Sequence, residues 1–126
     1  MAKFASQNVL DNGPAHIQAS CDRIMLISAY TFGDTYATVT GNILAEASMG
    51  SSDFVLSDSG DGRVLTTAAG KSDTSANASG SASHLAFLND TGSEVLWVTE
   101  ETTGQTITAG NPVNFPELTY TVTQPV

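Results

Sequence analysis

Basic residues are scarce in this chain of 126 amino acids, which has four lysines and arginines against 13 aspartates and glutamates. Its formal net charge is therefore −9. The basic residues are scattered along the sequence at Lys3, Arg23, Arg63 and Lys71. Because nucleic-acid binding takes most of its affinity from lysine and arginine on phosphates, we expect no DNA or RNA partner.

Cysteine is limited to Cys21, so the chain cannot form an internal disulfide and is not a disulfide-stapled scaffold. We interpret Cys21 as a small core residue, because free cysteine is among the most buried residue types. The two histidines, His16 and His84, are too few beside one cysteine to build a zinc site. The sequence therefore predicts neither a metal nor a cofactor.

Long hydrophobic runs are also lacking, since none approaches the roughly 20 apolar residues that span a bilayer. The first residues contain no apolar segment of signal-peptide length. We therefore expect no membrane partner, and folding in the cytoplasm of the cell that makes the protein. The nucleophile elbow Gly-x-Ser-x-Gly and the phosphate loop Gly-x-x-x-x-Gly-Lys do not occur either, so we predict no catalytic residue and no enzyme activity.

What is present is 40% hydrophobic residues in a chain of ordinary single-domain length. A chain of this size buries roughly two-thirds of its unfolded surface, so a real core is expected. Residues 1–20 differ from the rest because their apolar residues have helical spacing, with Ser6 placed to cap the helix. Gly13 and Pro14 predict either a short helix over 6–12 with a second turn after it, or one kinked helix. The apolar residues on this face are Phe4, Val9, Leu10 and Ile17.

From Asp22 onward the apolar pattern changes to a period of two, and β-branched and aromatic residues become frequent, as in β-strands. The segment Arg23–Tyr30 is apolar on both faces and predicts a central strand. Hairpin turns are indicated at 58–62 and 89–92, and 70–83 is expected to be a loop or a small-residue edge strand around 74–78. The other predicted strands are 36–39, 43–47, 53–57, 63–69, 84–88, 94–99, 105–108, 113–115 and 118–123.

This pattern predicts an all-β fold, an antiparallel β-sandwich or jelly roll with a short N-terminal helix. The helical segment is residues 1–20, with a docking or capping role, and the β-sandwich domain is residues 21–126. The acidic turn Asp58–Gly62, with Asp53 upstream, is either a solvated hairpin turn or a weak calcium site that lacks EF-hand spacing. Trp97 is either a core residue or part of a sugar-binding platform, for which the other aromatic residues would be Tyr30, Tyr36 and Tyr120.

Four segments and one single residue carry a resemblance that extends over most of the chain. They are residues 2–13, Ile17, Met25–Ala29, Ala78–His84 and Thr106–Val113. Together they resemble a group of small virion structural proteins of tailed bacteriophages. The most similar function in that group is head decoration, or cement. The resemblance implies a homo-oligomer, a dimer or trimer, on the capsid exterior of the virion, made in the host bacterial cytoplasm. There it would bind the major capsid protein, bridge neighbouring subunits of the shell and stabilise it.

If the shell is the partner, the distinct N-terminal segment is the natural docking element. The residues of this hypothesis are Phe4, Val9, Leu10 and Ile17, flanked by Lys3 and Arg23. The alternative is that the amphipathic helix covers the core of its own domain, as such helices usually do. An alternative function also stays open, a tail, fibre or host-recognition component of the virion, with or without glycan binding.

Overall fold

A computed structural model of the chain describes Phe4 and residues 6–124, apart from the side chains at 7–9 and 101–104. It contains 45% strand and 18% helix, its sheets are antiparallel, and a helix lies at the N-terminal side. The predicted antiparallel β-sandwich with a short N-terminal helix is therefore confirmed. The helices are α1 (Gln7–Ser20) and α2 (Tyr36–Gly41), with a 3-10 turn at Ser51–Asp53. The strands are β1 (Arg23–Ile27), β2 (Ile43–Ser48), β3 (Phe54–Ser59), β4 (Gly62–Thr67), β5 (Ser72–Asp73), β6 (Gly80–Asn89), β7 (Glu94–Ile107), β8 (Val113–Asn114) and β9 (Thr119–Val122).

The largest sheet has four strands in the order β2-β1-β6-β7, and β1 lies between two neighbours as its sequence predicts. A three-stranded sheet, β3-β4-β9, and a two-stranded sheet, β5-β8, complete the fold. Because side chains alternate along a strand, Ile24 and Leu26 of β1 enter a main core shared with α1 and the three-stranded sheet. Met25 and Ile27 enter a second core on the opposite face, which Val39 of α2 covers.

Residues 36–39, which the sequence pattern predicts as a strand, form the helix α2 instead. The hydroxyl of Thr35 accepts a hydrogen bond from the backbone N–H of Thr38 at 3.3 Å and so caps the helix. Val39 is fully buried and packs in the second core. The strand prediction is wrong because a short segment with β-branched residues is compatible with a strand or a helix. Here the Thr35 cap and the packing of Val39 favour the helix.

The predicted bounds of the strands after residue 94 also differ from the structure, whereas at 74–78 the loop alternative is the one that forms. The predicted strands 94–99 and 105–108 are parts of one strand, β7, whose pairing with β6 is interrupted by register shifts near Ala82 and Phe87. No strand forms at 74–78; the backbone N–H groups of Asn77 and Ala78 both donate to the Leu44 carbonyl, at 2.8 and 3.2 Å. Residues 77 and 78 are therefore held to the edge strand β2 by these two hydrogen bonds, without the regular hydrogen-bond pattern of a paired strand.

The helix α1 continues past Pro14, so of the two predicted alternatives the segment forms one helix and not a short helix over 6–12 with a second turn after it. Gly13 precedes the proline, and because it has no Cβ it reduces the steric conflict that usually keeps the residue before proline out of helical conformation. Pro14 is itself buried, and α1 lies against β3, β4 and β9. The segment therefore forms one helix that packs on the three-stranded sheet.

Gly62 is a position where the sheet has no room for a side chain. A Cβ atom there would lie 2.2 Å from the carbonyl oxygen of Val122 and 3.1 Å from the Cα of Thr123, both on the neighbouring backbone. We expect Gly62→Ala to lower the free energy of unfolding by about 1–3 kcal/mol, since backbone must move to admit the methyl group. Gly50→Ala is the matched control in urea denaturation, because Gly50 has extended φ of −137° and no atom within 4 Å of its Cβ position. Equal stability of the two variants would contradict the close β4–β9 approach.

Candidate docking surface

The apolar face of α1 is largely used inside the subunit. Leu10 and Ile17 are each 5% exposed, and Ile17 packs in the main core. Their burial agrees with the interpretation in which the helix covers its own domain. Phe4, in contrast, is 79% exposed. Lys3 and the side chain of Val9 lie outside the described residues.

Polar contacts also fasten α1 to the β-sandwich. Asp11 accepts a hydrogen bond from Arg63 Nε at 2.8 Å, and Asp58 accepts one from Arg63 Nη1 at 2.5 Å. These hydrogen bonds, first that of Asp11 and then that of Asp58, raise the pKa of Arg63. Gln18 donates to the Phe54 carbonyl at 3.0 Å. The Asp58 contact lies within the β3–β4 hairpin and orients Arg63. A movement of α1 away from the sandwich would therefore break the Asp11–Arg63 ion pair and the Gln18 hydrogen bond, and would expose core.

Phe4 lines a surface cavity of about 350 Å³ between α1 and the hairpin turn of β3 and β4. The polar wall of this cavity is formed by Asp58, Asp61, Arg63 and Gln124. Asp58 is engaged by Arg63, and within the described residues no three His, Cys, Asp or Glu side chains are grouped so as to hold a metal ion. Of the predicted docking residues, the structure brings Phe4 and Leu10 together at this cavity.

Arg23 lies apart from that cavity, because its side chain shares the sheet face of Met25 and Ile27, which α2 covers. Its guanidinium donates to Glu46 at 2.8 Å, to Asp90 at 2.9 Å and to the Tyr36 hydroxyl at 3.2 Å. Burial works against the charged form, but the hydrogen bond with Glu46 and the charge of Asp90 outweigh it and raise the pKa of Arg23. Arg23 therefore follows the N-terminal segment in the chain, but its side chain joins β1, β2, α2 and the β6–β7 turn.

The four aromatic residues considered as a sugar platform are divided between the two faces of the large sheet. Trp97 stacks on Phe87 with ring centroids 4.4 Å apart and meets Tyr120 edge-on at 5.3 Å. Tyr30 and Tyr36 pack against the second core on the opposite face. The four rings therefore form no common surface, and Trp97 is a half-buried member of the main core.

Apart from the cavity beside Phe4, a groove of about 300 Å³ lies at the end of the second core. It is lined by Tyr30, Phe32, His84, Val98 and Glu100. The side chain of Phe32 is 98% exposed. Nothing in the sequence pattern predicts that residues 30–32, 84 and 98–100 line one groove. One signal was available, since Phe32 stands in Thr31-Phe-Gly-Asp34, a turn segment, and turns rarely carry large aromatic residues.

Comparison with known protein families, with curated proteins and with solved structures finds no match to this chain. Among the described residues, neither helix has the length and apolar character needed to cross a membrane.

Proposed function

We propose that this chain is a non-enzymatic decoration protein of a tailed-bacteriophage head. It binds the outer surface of the shell as a small homo-oligomer and stabilises the shell by bridging neighbouring major capsid subunits. The observation that carries the proposal is the sequence resemblance, which extends from residues 2–13 to 106–113. Its densest part covers the segment that becomes the first half of α1.

The geometry agrees with the mechanical requirements of such a protein. A bridging subunit has to transmit force between its contacts, and here α1 is held to the sandwich by the Asp11–Arg63 ion pair and by buried Ile17. The net charge of −9 also limits association with packaged nucleic acid. Phe4 supplies an exposed aromatic side chain beside a cavity, which suits an anchor in a protein interface.

The test is to mix the purified protein with empty phage heads that lack it, and to measure bound copies per particle and the melting temperature of the particle. We expect saturation at a number set by capsid symmetry, and a raised melting temperature. Absence of binding to heads would overturn the proposal, and binding to purified tails would favour the tail or fibre alternative.

A substitution at Phe4 tests the N-terminal anchor better than removal of residues 1–20, because that removal would strip Ile17 from the core. Phe4→Ala is expected to weaken head binding by roughly tenfold, a moderate hot-spot loss. The matched control is Val55→Ala, because Val55 is also an exposed apolar residue but lies on β3. This variant should leave head binding unchanged. Equal affinity of the two variants would remove Phe4 from the interface while the decoration function stands.

A further inference from the structure

We propose that the groove formed by Tyr30, Phe32, His84, Val98 and Glu100 binds an arginine side chain of the protein on which this chain docks. This inference rests on the proposed function, in which that partner is a subunit of the shell. It adds a second contact on the face of the large sheet that α1 does not touch, and it names the chemistry of the contact.

Phe32 is held at the tip of a closed turn. The backbone N–H of Asp34 donates to the Thr31 carbonyl at 2.9 Å, and Gly33 provides the positive φ of +90° that such a turn requires. The Asp34 carboxylate accepts a second hydrogen bond from the Thr31 N–H at 2.8 Å. The ring is therefore presented outward by an ordered backbone, which reduces the entropy lost when it contacts a partner.

The opposite side of the groove is built on paired strands. His84 of β6 lies directly across from Glu100 of β7, and Ala86 lies across from Val98. The His84 ring is tilted against that of Tyr30, with centroids 5.7 Å apart, and its Nδ1 lies 2.7 Å from the Ser83 hydroxyl. Cross-strand neighbours point to the same face, so a carboxylate and aromatic rings line one groove.

The charge in this groove favours a cation. Within the described part of the chain, the Glu100 carboxylate has no ion-pair or hydrogen-bond partner. The described basic residues Arg23, Arg63 and Lys71 are each paired with carboxylates elsewhere. An anionic ligand would meet the repulsion of Glu100 and of an acidic protein, whereas a cation meets a free carboxylate.

The aromatic rings select among cations. A cation over the face of tyrosine or phenylalanine is attracted by the ring quadrupole, and arginine makes such contacts more often than lysine. The planar guanidinium can also stack on a ring while its N–H groups donate to a carboxylate. The groove offers the Phe32 ring at the tip of its turn, the Tyr30 ring and the Glu100 carboxylate. Together these three groups fit an arginine side chain.

The direct test is an NMR titration of the isotope-labelled full chain with Nα-acetyl-arginine methylamide. We expect millimolar binding, with shift changes concentrated at Tyr30, Phe32 and Glu100. The citrulline counterpart has nearly the same shape without the charge and should bind at least threefold more weakly, as should the arginine probe to the Glu100→Gln variant. Equal binding of the two probes, changes confined to other residues, or tighter binding of a methyl glucoside would overturn the proposal.

The second arm uses the empty-head assay with Phe32→Ala, a variant expected to fold normally because this side chain is almost wholly exposed. Head binding should weaken roughly tenfold relative to Val55→Ala. Unchanged head binding by Phe32→Ala would overturn the groove as a contact and leave the decoration function in place. If the unmodified chain binds no heads, the decoration function fails and the titration alone decides whether the groove takes a guanidinium.

Discussion

Replacing Phe87 with alanine is expected to lower the free energy of unfolding by about 3–5 kcal/mol, the largest loss we predict for a single substitution. Phe87 is fully buried on β6. Its ring stacks on Trp97 with centroids 4.4 Å apart and packs against Phe54 at 6.2 Å. Removal of the ring takes away its own buried area and leaves a cavity that the two neighbouring rings cannot close without moving.

The measurement is urea denaturation, followed by circular dichroism and by fluorescence of Trp97, the single tryptophan of the chain. Val55→Ala is the control and should stay within about 0.5 kcal/mol of the unmodified protein, since Val55 is exposed. If Phe87→Ala does not fold, Phe87→Leu keeps most of the buried volume and gives a measurable part of the loss. A loss below 1 kcal/mol for Phe87→Ala would contradict the central position of this ring.

The parts of the fold that could be predicted are those set by local pattern. The segment Arg23–Tyr30, which is apolar on both faces, predicts a central strand covered on each side, and β1 has a core on each side. The turn residues 58–62 and 89–92 predicted two hairpins, and both are present. These features depend on neighbours within a few residues, which the sequence displays directly.

The parts that could not be predicted depend on distant residues. Residues 36–39 suit a strand by composition, and they form α2 because Val39 fills a pocket on the large sheet. The pairing of His84 with Glu100 depends on the register shift between Phe87 and Leu88, which no local pattern reveals. The position of Arg23 in the sequence predicts a place beside the N-terminal segment, but strand alternation turns its side chain toward Glu46 and Asp90.

The thiol of Cys21 is expected to react at least about 100-fold more slowly in the folded protein than in the unfolded chain. Cys21 is 3% exposed, and burial raises the pKa of its thiol from 9.0 to about 11. Since the thiolate is the reactive form, a rise of two units lowers the reactive fraction at pH 8 about 100-fold, before any steric protection. The measurement is the rate of reaction with a disulfide reagent at pH 8, with and without urea. Equal rates in the two conditions would contradict the burial of Cys21.

The same shift makes stability depend on pH in a definite direction. Folding holds Cys21 in its neutral form, so its contribution is complete below pH 9, where the thiol is neutral in both states. As pH rises from 9 toward 11, the unfolded chain releases this proton while the folded protein keeps it. About 2–3 kcal/mol of stability is therefore lost by pH 11.

Cys21→Ala isolates this contribution from the other groups that titrate at high pH. Tyr36, whose pKa is raised chiefly by its hydrogen bond to Asp90, also weakens the fold as pH rises, but it does so in both proteins. The difference in unfolding free energy between the unmodified chain and Cys21→Ala should therefore be constant up to about pH 9 and then shrink. A difference that stays constant up to pH 11 would mean that the buried thiol ionises as easily as a free one.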